Sequence, residues 1–173
     1  MIYNRQMDLP AVITPVLLKY LRNTYKLPWE GLHGWEHWVR VWENGLHLAL
    51  QNGADQTVVA LFAFTHDMAR HADHGDFDHG PRAAKIIETE LHGNFFHLEP
   101  QALEQLLTAV RHHSRGLQEA DITIQTCWDA DRLDLGRAGI RPSPARMCTR
   151  EARDPATIGW AYQRSIEWRN KKL

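Results

Sequence analysis

The chain has 173 residues, of which 43% are hydrophobic and 24% charged, and a net charge of −1. That length suits one domain spanning residues 1–173, able to bury a core without disulfides. The near-neutral balance excludes a global basic field for nucleic acid or an acidic membrane. Cys127 and Cys148 form no CxxC pair and no disulfide framework, which favours a reducing compartment. The apolar start is interrupted by Pro10 and Pro15 and lacks the order of a signal peptide. No run approaches the ~18 apolar residues that span a bilayer. The expectation is a cytoplasmic protein without a membrane partner.

The pattern predicts helices and almost no strands. A first helix is expected from Leu9 to Lys26, with Asp8 as its cap and Pro10 in its first turn. A second is expected from Trp35 to Gln51, stopped by Asn52-Gly53. Its Trp35, Trp38, Trp42, Val39, Leu46 and Leu50 read mostly as core. Asp55 caps a third that runs through Gln56–Arg70 and is apolar almost all round, as a buried central helix is. A polar loop rich in His and Asp follows. Pro81 opens a fourth helix to His92, and Glu99-Pro100 opens a fifth to Gly116. A sixth carries Ile122–Arg137 and ends at Gly136 and Gly139, with Arg132 and Asp134 expected as paired surface groups. After an Arg-Pro-Ser-Pro-Ala-Arg linker, helices are expected over Ala145–Arg153 and Ala156–Asn170. The sum is an all-α bundle of six to eight helices. Its core covers about residues 31–137 and a C-terminal helical extension about 144–173.

The chain has 11 histidines, all between His33 and His113. Histidine is the commonest metal ligand and titrates near neutral pH. His66-Asp67 ends the apolar third helix, and an ionised Asp beside an imidazole there demands a partner or a metal. His37 shares a helical face with Arg40, Val41, Asn44 and Leu48, a polar lining amid tryptophans. Asp131, flanked by Trp128, Leu133 and Leu135, points toward the core side of the sixth helix. A His, a His-Asp pair and a buried Asp on separate helices are what a metal cage needs. Imidazole and carboxylate ligands suit Fe, Mn, Co, Ni or Zn, and suit Mg less.

The order His37, His66-Asp67, Asp131 resembles the HD-domain superfamily of metal-dependent phosphohydrolases. The likeness rests also on His-Trp-Val-Arg-Val around His37 and Ala-Asp-Arg-Leu-Asp around Asp131. It spans about Gly31 to Arg137. The resemblance implies that His37, His66, Asp67 and Asp131 ligate one ion, with the chemistry centred on His66 and Asp67. Some members hold a second ion, for which His79 and His113 match best, with His112 as the alternative to His113. Asp67 would then bridge the two. A phosphorylated small molecule is the implied substrate, hydrolysed by a metal-activated water. Arg70, Arg82, Arg40 and His33 are candidates to hold it, with Arg111 and Arg115 behind them, because a guanidinium fork grips phosphate bidentately. Arg82, at a helix start, is favoured, and Asp76 is expected to steady the loop before it. Trp35 and Trp38 are available to stack a base, although tryptophan on a helix is more often core. Two other readings stay open at this stage. One is a di-iron enzyme that activates oxygen; the other is a binding domain that keeps the fold without the chemistry. Neither the substrate nor the oligomeric state is legible in the sequence.

Overall fold

A computed structural model describes residues 9–172. Among them lie eight α-helices and no strand, only a lone bridge between His92 and Phe96. Helix α1 spans Pro15–Thr24, with the Thr14 hydroxyl accepting from Leu17 N–H and Pro15 in its first turn. The expected start at Leu9 is therefore corrected. Residues 10–13 form a turn closed by Ile13 N–H on the Pro10 carbonyl at 2.8 Å. A proline inside a helix lacks the N–H and clashes with the carbonyl four residues back, so the helix begins at Pro15. The proposed Asp8 cap lies outside the described residues.

Helix α2 spans Trp35–Asn52 and stops at Gly53, whose φ of 77° is the left-handed geometry that glycine tolerates. Of its expected core residues Leu50 is instead exposed. Helix α3 spans Gln56–Thr65, and Asp55 caps it by accepting from Thr57 and Val58 N–H at 2.8 and 3.1 Å. Residues Val58–Thr65 are all buried, because α2, α5 and α6 pack around it. Helix α4 spans His79–Ile86 and widens into a π turn over Ile87–Leu91. Its first turn contains Pro81, where no intrahelical N–H bond is lost. Helix α5 spans Pro100–His112 and tightens into a 3₁₀ turn over His113–Arg115. Helix α6 spans Ile122–Arg132, capped by Asp121 and followed by a 3₁₀ turn over Leu135–Ala138. A 3₁₀ turn, Pro144–Arg146, leads to the short α7, Arg150–Arg153, and the long α8, Pro155–Lys172.

The main core runs from Leu17 and Leu21 through α3 to Leu106, Val110 and Trp128. A smaller core of Leu48, Leu133, Met147, Ala152, Ile158 and Ala161 holds α8 against α2 and the end of α6. Gly136 permits this close approach, since a Cβ there would lie 2.6 Å from Ser165 Cβ. That seating brings the Ser165 hydroxyl to the centre described below. No helix among the described residues is long and apolar enough to cross a membrane.

Candidate metal centre

The middle of the bundle is polar. His37 comes from α2, His66 and Asp67 from the end of α3, His79 from the start of α4, His113 from the end of α5 and Asp131 from α6. The four imidazoles and Asp67 are almost wholly buried. The local backbone explains how they meet. Regular α-helix in α3 stops at Thr65, and the chain turns tightly with Met68 N–H on the Thr65 carbonyl and Arg70 N–H on the Asp67 carbonyl. The expected continuation to Arg70 is thus corrected. Neighbouring residues on a helix point ~100° apart, and the turn lets His66 and Asp67 face one centre.

Every ring is oriented by its Nδ1. His66 Nδ1 donates to the Phe62 and Ala63 carbonyls at 3.2 and 3.1 Å. His79 Nδ1 donates to the Asp76 carbonyl at 2.5 Å, and His113 Nδ1 to the Val110 carbonyl at 2.7 Å. His37 Nδ1 donates to the Asp134 carboxylate at 2.7 Å. Carbonyls and carboxylates accept, so the proton of each neutral ring sits on Nδ1 and each Nε2 is a lone pair. These lone pairs converge, with His37 Nε2 3.2 Å from His66 Nε2 and His79 Nε2 2.8 Å from His113 Nε2. Lone pairs facing at such distances repel unless a cation lies between them. Donor atoms bonded to one ion at about 2.1 Å stand about 3.0–3.4 Å apart.

Asp67 offers a different oxygen to each pair. Its Oδ2 lies 3.6 Å from His37 Nε2 and 3.5 Å from His66 Nε2. Its Oδ1 lies 3.3 Å from His79 Nε2 and 3.5 Å from His113 Nε2. Asp131 Oδ1 is 3.5 Å from His37 Nε2 and is buried without a hydrogen-bond partner. An orphaned carboxylate oxygen is costly in a protein interior, and a cation would satisfy it. On the donor set, the lone pairs and this oxygen, the residues fit divalent ions: the ligand atoms of His37, His66 and Asp67 converge, those of Asp67, His79 and His113 converge, and Asp131 converges with His66 and His113 while its Oδ1 also lies 3.5 Å from His37 Nε2.

Three carboxylates here meet three guanidiniums. Asp134, fully buried, accepts from His37 Nδ1, from Arg40 Nε at 2.6 Å and Nη2 at 3.0 Å, and from the Ser165 hydroxyl of α8 at 2.5 Å. The expectation of a surface Arg132–Asp134 pair is overturned, since Arg132 turns instead to the Leu117 and Arg146 carbonyls. Arg70 Nε donates to Asp67 Oδ1 at 2.8 Å, and Arg137 Nη2 lies 3.6 Å from Asp131 Oδ1. Burial alone would raise the Asp67 carboxyl, but His66, His113 and Arg70 hold it well below the usual range. Burial likewise opposes ionisation of Asp134, and the His37 bond and Arg40 overcome it.

The remaining sequence candidates are sorted by their contacts. His113, not the half-exposed His112, joins the centre, because the 3₁₀ turn after α5 resets the register. His33 is buried beside His37 and bonds Asp73 at 2.9 Å. Arg40 is committed to Asp134 and lies over the Trp168 ring. Arg82 is committed to the Ala69 carbonyl and to Asp76, which also accepts from His71 N–H, so both serve the loop. Arg111 and Arg115 make no ion pair with the centre among the described residues. Trp38 is core, and Trp35 stacks on Trp29. The roles of Asp134 and Arg137 were not read from the sequence; a second Asp three residues after Asp131, in the turn that follows α6, was the available signal.

Two consequences are measurable here. Gly80 lets α4 touch the end of α5, since a Cβ there would lie 2.7 Å from the Val110 carbonyl oxygen. Gly80→Ala is expected to part His79 from His113 and to weaken ion binding at that pair about ten-fold, with the His37 pair spared; metal titration of the variant checks this. The second concerns pH. Burial pushes the His37 imidazole down to about 3 and the His79 imidazole to about 4. Both lie below the unfolded value, so the unfolded chain takes up protons that the folded chain refuses. Metal-free protein is therefore expected to lose stability as pH falls from about 6.5 toward 3. His113, raised chiefly through Asp67 against its burial, opposes the trend with one ring. Denaturant midpoints at pH 7 and pH 5 check the sign, and a higher midpoint at pH 5 would contradict it.

The family model described as "HD domain" matches residues 34–154. A crystal structure of a predicted HD superfamily hydrolase from an uncultured Thermotogales bacterium superposes with a TM-score of 0.68. The two share 23% identity, over 93% of this chain and 91% of that one, a likeness that speaks for the fold. No curated protein matches.

Proposed function

The chain belongs to the HD-domain family, and on that premise we propose that it is a metal-dependent hydrolase acting on a phosphoester of a nucleotide or a small phosphorylated metabolite. The observation that carries the reading is Asp67, which turns one oxygen to each histidine pair. In this reading His37, His66, Asp67 and Asp131 hold one ion. His79 and His113 hold a second, with Asp67 bridging, and the ions are Fe, Mn, Co, Ni or Zn rather than Mg. When bound, such ions supply Lewis acidity that brings the pKa of water to about 7 and offsets charge on phosphoryl oxygens.

The chain's own groups do the rest. The carbonyls of Phe62, Ala63, Asp76 and Val110 keep the Nδ1 protons in place, so that each Nε2 faces inward unprotonated. Arg70 steadies Asp67. His33, buried beside His37 and oriented by its bond to Asp73, is the substrate-contacting group of this reading. Arg40 and Arg82 have no such role, since both guanidiniums are used elsewhere. The net charge of −1 favours a small-molecule substrate over nucleic acid or a membrane, and two free buried cysteines suit a cytoplasmic setting.

A phosphate-release screen tests this. Metal-stripped protein is reloaded with Mn, Fe, Co, Ni, Zn or Mg and offered nucleotides and other phosphoesters. Release that depends on a transition ion is expected. No release from any ester at full metal occupancy would overturn the reading, and two irons with oxygen-dependent turnover would replace it with the oxygenase.

A further inference from the structure

A cavity of about 320 Å³ is walled by α1 and the residues after it, by the turn that follows α3, and by α4 with its π turn. That volume falls within the roughly 300–1,000 Å³ of small-molecule sites. Its lining is one-sided. Lys26, Arg70, His71 and Arg82 face a single acid, Glu90. Glu90 is already engaged, since it accepts the Tyr20 hydroxyl at 2.7 Å. Arg82 is held by Asp76. Lys26 and Arg70 remain.

Arg70 joins this cavity to the metal centre. Its Nε donates to Asp67 Oδ1 at 2.8 Å, and its Nη1 reaches the Ala72 carbonyl at 3.5 Å. Its Nη2 has no acceptor among the described residues. The same guanidinium lines the cavity, so the cavity begins at the arginine that touches the carboxylate shared by both histidine pairs.

Lys26 lines the same space from the chain after α1. Its ammonium donates to His71 Nε2 at 3.3 Å and keeps two further N–H donors. It forms no ion pair among the described residues. The turn that carries Arg70 and His71 is fixed in advance, because Asp76 accepts from His71 N–H at 2.8 Å and from Arg82. A cation without a counter-ion, beside an anchored guanidinium in a walled space, draws an anion.

We propose that Lys26 and Arg70 form an anion subsite in this cavity, which holds a second phosphate of the substrate, apart from the one that is hydrolysed. This rests on the hydrolase reading. It narrows the substrate class to phosphoesters with a further phosphate, a bisphosphate or a nucleoside polyphosphate rather than a monophosphate. An ammonium and a guanidinium together suit a dianion, to which each lends charge-assisted bonds.

The test uses the full chain loaded with Mn and titrated by calorimetry with butyl phosphate and with the bisphosphate of butanediol. Wild type is expected to bind the bisphosphate about ten-fold more tightly, the worth of one charge-assisted bond. Lys26→Ala should erase that advantage while butyl phosphate affinity and Mn content stay at wild-type values; the side chain is exposed, so the fold is spared. Lys19→Ala, at an exposed position of α1 outside the cavity, should keep the advantage. Equal binding of the two ligands by wild type would overturn the subsite and leave the hydrolase reading standing. So would an advantage that persists in Lys26→Ala, or one lost equally in Lys19→Ala. Wild type that binds neither ligand at full Mn occupancy would overturn both the subsite and the hydrolase reading.

Discussion

Asp67→Ala is expected to strip the protein of metal at both histidine pairs and to abolish metal-dependent phosphate release. Asp67 is the carboxylate that both pairs share, through Oδ2 for His37 and His66 and through Oδ1 for His79 and His113. Without it each pair keeps two imidazoles, and the pair of His79 and His113 keeps nothing else. The helices do not depend on it, because α3 is fixed by the Asp55 cap and by its packing against α2, α5 and α6. The far-ultraviolet helical signal should therefore match wild type while metal content falls below about a tenth of it, a loss larger than that expected of a partner outside the ligand set. Full metal content in the variant would show that the ions sit elsewhere.

Asp134→Asn is the second large effect, and it separates orientation from ligation. Asp134 does not face the ions. It accepts the Nδ1 proton of His37, grips Arg40 through both oxygens and takes the Ser165 hydroxyl. An amide keeps the shape but has one accepting oxygen and no charge, so Arg40 remains buried without its counter-ion. The expected loss of stability is about 3 kcal/mol, read from denaturant unfolding of metal-free protein. The His37 ring loses its reason to keep the proton on Nδ1, and ion affinity at the His37 pair should fall about ten- to hundred-fold. The His79 pair, remote from Asp134, should titrate as in wild type. Equal weakening at both pairs would mean that the substitution acts through general loosening.

This link also explains the C-terminal extension. Helix α8 supplies Ser165 to Asp134 and Trp168 to the face of Arg40. The last helix therefore supports a ligand on the second, across 97 residues between His37 and Asp134 and 31 between Asp134 and Ser165.

Much of this was legible in the sequence because its signals are local. Asp55, Asn52-Gly53 and Pro100 mark helix ends by cap chemistry that acts within a few residues. The all-round apolar run of α3 announced a central helix, and His66-Asp67 at its end announced the polar centre. What escaped depended on distance. Arg132 and Asp134 read as a solvated pair, because the groups that bury Asp134 come from α2 and α8. Arg82 looked free at a helix start, but the preceding loop folds back and supplies Asp76. The start of α1 was misplaced because two prolines competed, and Thr14 before Pro15 provides the side-chain cap. Arg137 follows a glycine whose meaning is tertiary, the seat of α8 on the turn after α6.

The central claim is the metal centre, and titration of metal-stripped protein with Mn tests it most directly. About two equivalents are expected, held by His37, His66, Asp67, Asp131, His79 and His113 through their converging donor atoms. Metal-stripped protein that is fully folded yet takes up no ion would contradict it.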